Sequence, residues 1–297
     1  MTAATEDKIR GAALERFGKK LKDIYFFEQR ARTVSAELDD EALAAQQSLN
    51  DADYELNLAK ELAARGSPND GEYELELPDG SPPKSLAELQ IDVDIALNHY
   101  DRVHDKPEVW RREVGRFTAI NLCIAFENFH CNFLAEQLLL EPAKLSEYAK
   151  DKPWATSADP LTMDYVAGQF KGAFHGFNNN VKAEYQKITG KTPQLYEEQE
   201  ALGQEDWTAA RQDVSLLFEI RHRLIHSDGH AGPKYQEKVQ SYRDRLNIEI
   251  RDKPAIPGPD DLLRSPAVVS SEGKRKLDDF LDSLQKYARY ITNVCDS

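Results

Sequence analysis

Twelve consecutive residues, Glu219 to His230, hold two arginines, three of the chain's seven histidines, a glutamate and an aspartate. An arginine and a histidine held close together suit RNA cleavage without a metal. The 2'-hydroxyl must lose a proton while charge builds on the phosphorane; a histidine near its ordinary pKa of about 6.5 can take the proton. A fixed guanidinium stabilises the phosphate charge through bidentate hydrogen bonds. Arg221 and His226 are the candidate catalytic pair, with His222, Glu219 and Asp228 as supporting groups. Arg223, Lys234 and Lys238 are the candidate RNA contacts, the two lysines lying one helical turn apart.

Other readings of the same residues stand beside this one. Arg221, Arg223 and Glu219 would serve equally as surface ion pairs, His226 as a helix C-terminal histidine, and Lys234 and Lys238 as a solvated face. His222, His226 and His230 are spaced by four, as zinc ligands can be, but Gly229 is placed to break the helix before His230. No HExxH or paired-cysteine motif accompanies them, so no metal and no cofactor are expected. Geometry adds a constraint: residues five apart on an ideal helix point about 140° apart, so Arg221 and His226 converge only on a ligand lying across the helix.

Composition narrows the classes. The 297 residues carry a formal charge of -14, so the molecule as a whole repels phosphate and any RNA contact must be local. Residues 207 to 251 supply such a locality, with eight Lys/Arg against six Asp/Glu. Three cysteines, of which Cys123 and Cys131 lie eight apart on one predicted helix, fit a reducing cytoplasm. No stretch approaches the roughly 18 uninterrupted apolar residues of a membrane span, and the N-terminus lacks a signal core. Walker A, GxSxG and Rossmann patterns are absent.

The elements that must position the motif are helical. Leu14, Phe17, Leu21, Ile24, Phe27, Ala31, Val34 and Leu38 form an amphipathic stripe, and Asp39 and Asp40 can cap a second helix ending at Gly66 to Pro68. An N-terminal helical hairpin over 1–66 is expected, with a Pro/Gly-rich linker over 67–85 and a helical domain over 86–297. Charge is uneven in the hairpin: residues 37 to 61 hold eight Asp/Glu against one Lys. Ser85 and Glu88 make a capping box, yet Leu89, Ile91, Val93, Ile95 and Leu97 alternate, so period two and period 3.6 both fit. Asp105 and Pro107 open a long helix that Pro142 stops; further helices start at Asp159, Asp206 and Pro233, and a last one spans Leu277 to Val294. At most a small β element is left, from Ile248, Ile250, Val268 and Val269.

On these residues the chain resembles the HEPN superfamily, whose signature is an arginine, a polar residue, three to five more residues and a histidine. Arg221, His222 and His226 match it, with Glu219 shortly before and Gly229 shortly after. The stretch AINLCIAFENFHCNFL, with Phe126 beside Glu127, resembles the helix that packs on the motif helix in members linked to RNA cleavage. There Glu127 would orient a motif side chain or face water. The resemblance spans about residues 86 to 295. It implies an all-α HEPN-type bundle that forms a homodimer, joins two Arg/His pairs in one cleft and cleaves RNA without metal as a toxin or phage-defence effector. An antitoxin or sensor protein is then a natural partner. Where toxins paired with nucleotidyltransferase antitoxins carry a tyrosine two residues after the histidine, this chain has Asp228, so regulation through that tyrosine is not expected. The alternative function is a silent helical interaction or dimerisation module.

Overall fold

A computed structural model describes residues 9–65, 84–150, 161–170, 177–193, 205–226, 232–245, 259 and 276–296. Every element among the described residues is a helix: α1 Ala12–Arg65, α2 Leu86–Val103, α3 Lys106–Leu140, α4 Pro142–Ala149, α5 Met163–Phe170, α6 Phe177–Thr189, α7 Glu205–His226, α8 Pro233–Arg245 and α9 Lys276–Asp296. The all-α class expected from the sequence is what the chain adopts. The residues suggested for a small β element, 248, 250, 268 and 269, lie outside the described residues.

The expected break at Asp39 and Asp40 does not occur, because α1 continues through it for 54 residues. No glycine or proline stands between Lys19 and Arg65. An aspartate inside a helix costs only a few tenths of a kcal/mol, too little to end one that packs well. Asp39 is an ion-pair partner of Arg111 on α3 rather than a cap.

Two compact units make up the chain, Glu28–Val114 and Met1–Phe27 with Gly115–Ser297. Their boundaries fall within α1 and α3, whereas the expected linker over 67–85 falls almost entirely outside the described residues. In the smaller unit α2 begins with the capping box read from the sequence: Ser85 Oγ accepts from the Glu88 backbone N–H, and the Glu88 carboxylate accepts from the Ser85 N–H. Leu89 and Val93 of α2 pack on Leu56 and Ala59 of α1. Trp110 Nε1 donates to the Ala31 carbonyl at 2.8 Å, and Arg111 Nε donates to Ser35 Oγ at 3.2 Å.

The larger unit is built around the aromatic run of α3. Phe126, Phe129 and Phe133 are fully buried, with Phe17 of α1, Tyr185 of α6 and Tyr287 of α9 packed against them at ring separations of 5.0 to 6.1 Å. The first turn of α1 is closed from far along the chain: Glu136 of α3 accepts the backbone N–H groups of Gly11 at 2.6 Å and Ala13 at 2.8 Å. Gly11 itself has φ +79, a left-handed conformation that favours glycine. Burial pushes the Glu136 carboxyl above its usual range, and the two N–H bonds pull it back. Helix α7 packs on α8 and α9, burying Val214, Leu217 and Ile220 completely.

Candidate functional site

Burial along α7 fades toward its C-terminal end, and the motif sits where it fades. Ile220 is fully buried, Arg221 and Leu224 are half-buried, and His222, Ile225 and His226 are exposed. The side chains open into a surface cleft of about 330 Å³ lined by Arg221, His222, His226 and Phe218, together with Arg223, Glu219, Ile225, Lys234 and Lys238. Every motif residue proposed for catalysis or RNA contact that lies among the described residues therefore lines one cleft. Four cationic side chains and the Glu219 carboxylate line it, and the Glu127 carboxylate pairs with Arg221, so the local balance is two positive charges in a chain whose net charge is -14. An anion meets a local attraction there that the molecule as a whole denies it.

Arg221 is fixed from the neighbouring helix. Its Nη1 donates to Glu127 Oε1 at 2.5 Å, both side chains being about a quarter exposed. The contact forms because Cys123 and Phe126, on the same stretch of α3, pack against α7: Cys123 Sγ donates to the Leu217 carbonyl at 3.8 Å and the Phe126 and Phe218 rings lie 6.0 Å apart. The Arg221 guanidinium also lies 6.0 Å from the centre of the Phe218 ring. Burial pushes the Cys123 thiol well up, and nearby Arg221 offsets this in part, so Cys123 is a packing residue rather than a thiolate nucleophile.

The histidines occupy the open side. His222 and His226 are one turn apart with ring centres 5.0 Å apart and planes tilted by 49°. The two rings thus stand together at the exposed end of α7, and Arg221, His222 and His226 all line the cleft. Among the described residues no three His, Cys, Asp or Glu side chains are grouped as metal ligands; His230 and Asp228 lie outside the described residues.

Other candidates have partners inside the chain. Arg223 donates to Glu219 at 2.9 Å through Nε, and Glu219 is only 6% exposed, so the ion-pair reading holds for this couple. Lys238 donates to Ser215 Oγ at 2.6 Å and to the Ser215 carbonyl at 3.2 Å, tying α8 to α7. Lys234 is exposed at the cleft. Sequence reasoning missed two residues that touch or crowd these side chains, Ser215 and Gly232. Ser215 carries no local signal. Gly232 does: it precedes Pro233 at a helix start, and a Cβ there would come within 2.7 to 2.8 Å of the Arg223 guanidinium.

His130, four residues before Leu134 in the same aromatic run, is apart from the cleft in chemistry. It is fully buried with Nδ1 2.7 Å from Tyr185 Oη, and burial pushes its imidazole down to about 3. It is a neutral packing residue. His175 lies outside the described residues. Among the described residues no helix is long and apolar enough to cross a membrane. No family model matches this chain, and neither a curated protein nor a solved structure matches it.

Proposed function

We propose that the chain is a metal-independent endoribonuclease of HEPN type, acting as a homodimer, with a role as a toxin or phage-defence effector. One observation carries the reading: Arg221, oriented by Glu127, and His226 line the same cationic cleft. In this reaction His226 takes the proton of a ribose 2'-hydroxyl, whose oxygen bonds to the adjacent phosphorus as the P–O5' bond breaks. Arg221 neutralises the charge that gathers on the non-bridging oxygens. The leaving 5'-oxygen receives a proton from His222 or from His226 of the second copy. The products are a 2',3'-cyclic phosphate and a 5'-hydroxyl, and no metal enters the step.

The test is cleavage of single-stranded RNA by the purified protein in EDTA, with the ends identified by mass. Cyclic phosphate ends support the reading, and activity that appears only with added Zn²⁺ or Mg²⁺ overturns the metal-free mechanism. A second reading, a silent interaction module, is favoured by the carboxylate partners that Arg221 and Arg223 both have within the chain. Inertness on every RNA tested, with an intact dimer by light scattering, would select it.

A further inference from the structure

Away from the motif, three helices of the larger unit border a second cleft, of about 400 Å³. Each sends it two residues one turn apart: Arg16 and Lys20 from α1, Asn128 and Asn132 from α3, Asp164 and Gly168 from α5. Space is left there because small residues stand where the helices meet. Ala125 and Ala167 line the cleft, and a Cβ at Gly168 would meet nothing within 4 Å. The buried rings of Phe17 and Phe129, with centres 5.1 Å apart, give it an apolar floor.

Arg16 pairs with Asp164 through Nη1 and Oδ1, joining α1 to α5 across this cleft. The side chains of Lys20, Asn128 and Asn132 have no hydrogen bond or ion pair among the described residues. One ammonium and two amides, the amides able both to donate and to accept, therefore gather in one concavity with only solvent to satisfy them.

We propose that this cleft binds a small organic monocarboxylate, with its carboxylate at Lys20 and Arg16 and its apolar body against Phe17 and Phe129. Charge selects the monoanion: Arg16 and Lys20 against Asp164 leave a balance of +1 (2 - 1), which one carboxylate cancels and a dianion beside Asp164 exceeds. The carboxylate accepts from the Lys20 ammonium and from Arg16 nitrogens that Asp164 does not use, and the amides of Asn128 and Asn132 add neutral donors. The floor favours an apolar body, which bare phosphate lacks. Clefts of about 300 to 1,000 Å³ are the size that takes small organic ligands. The site stands independently of the nuclease reading, because none of its residues lines the cleft that holds Arg221.

The test uses the full chain and benzoate, with benzamide as the uncharged isostere and inorganic phosphate as an anion without an apolar body. Ligand-observed NMR follows the two organic probes, and phosphate is added as a competitor of benzoate. Benzoate binds saturably with a Kd on the order of 1 mM or tighter, and benzamide and phosphate bind at least about tenfold more weakly. Lys20→Met removes the unpartnered cation, and Gly168→Met places a side chain in the cleft from a helical position. Each weakens benzoate by about tenfold or more, while far-ultraviolet circular dichroism stays that of the wild type. Lys234→Met, at the other cleft, leaves benzoate binding unchanged.

Absence of saturable benzoate binding, equal affinity for benzamide, or affinity unchanged in either Lys20→Met or Gly168→Met overturns the proposal. Phosphate as tight as benzoate makes this a phosphate site, and loss of binding in Lys234→Met puts the anion beside Arg221; in both cases the proposal falls.

Discussion

His130 couples the folding of the aromatic core to pH, and the size of the coupling follows from its burial. The ring is 0% exposed and its pKa is pushed from 6.5 down to about 3. In the unfolded chain the same ring takes a proton near pH 6.5. A histidine whose folded-state pKa is depressed stabilises the fold fully above its unfolded pKa, and that contribution is lost as pH falls toward the folded value. A gap of about 3.5 units, at about 1.36 kcal/mol each, gives an upper bound on the order of 5 kcal/mol. Between about pH 7 and about pH 5 the loss is about 2 kcal/mol. The perturbation is His130→Gln, which keeps a hydrogen-bonding side chain toward Tyr185 and does not titrate. Urea unfolding of both proteins across that range, followed by circular dichroism, removes the titration of the carboxylates, which the two share. The wild type should lose about 2 kcal/mol more than the variant over this interval. Parallel stability curves would refute the assignment of His130 as a buried neutral ring.

Further outcomes separate chemistry from packing. Arg221→Ala and His226→Ala should each lower RNA cleavage by at least about a hundredfold with stability changed by about 1 kcal/mol or less, while Leu217→Ala, at 0% exposure, should destabilise by about 2 to 5 kcal/mol in thermal or urea unfolding. His222→Ala should retain more activity than His226→Ala; equal loss would make His222 the proton donor. Glu127→Ala should lower kcat by about ten- to a hundredfold by releasing Arg221, and Glu127→Gln, which still accepts a hydrogen bond, by less. Gly232→Ala should push the Arg223 guanidinium aside, a shift at the far end of a flexible side chain, and lower stability by about 1 kcal/mol or less, with Arg223→Ala masking the effect.

What could be read from the sequence was local. The Ser85 and Glu88 capping box, the stop at Pro142 and the stripe of α9 involve residues three or four apart, and all three are present. Asp39 misled because a capping residue and an ion-pair partner look alike until Arg111, 72 residues away, is in position. The alternation of α2 fitted two periods because both faces of the helix carry aliphatic residues, one set buried and one exposed. Within the candidate site, type and spacing single out Arg221 and His226, while for Glu127 the sequence leaves orienting a motif side chain and facing water both open. Its bond to Arg221 joins residues 94 apart, and the bond from Lys238 to Ser215 depends on how α8 folds back on α7. Periodicity carries no record of such pairs.

The carboxylate of Glu136 that closes the first turn of α1 sets an order for synthesis on the ribosome. Gly11 and Ala13 emerge more than a hundred residues before the group that accepts their N–H bonds. Until α3 has left the exit tunnel, the start of α1 has only water to satisfy it, and the apolar stripe of Phe17, Leu21 and Ile24 has no aromatic surface to cover it. A chain truncated before residue 136 should therefore aggregate more readily than the full chain, because that apolar stripe then never meets its cover.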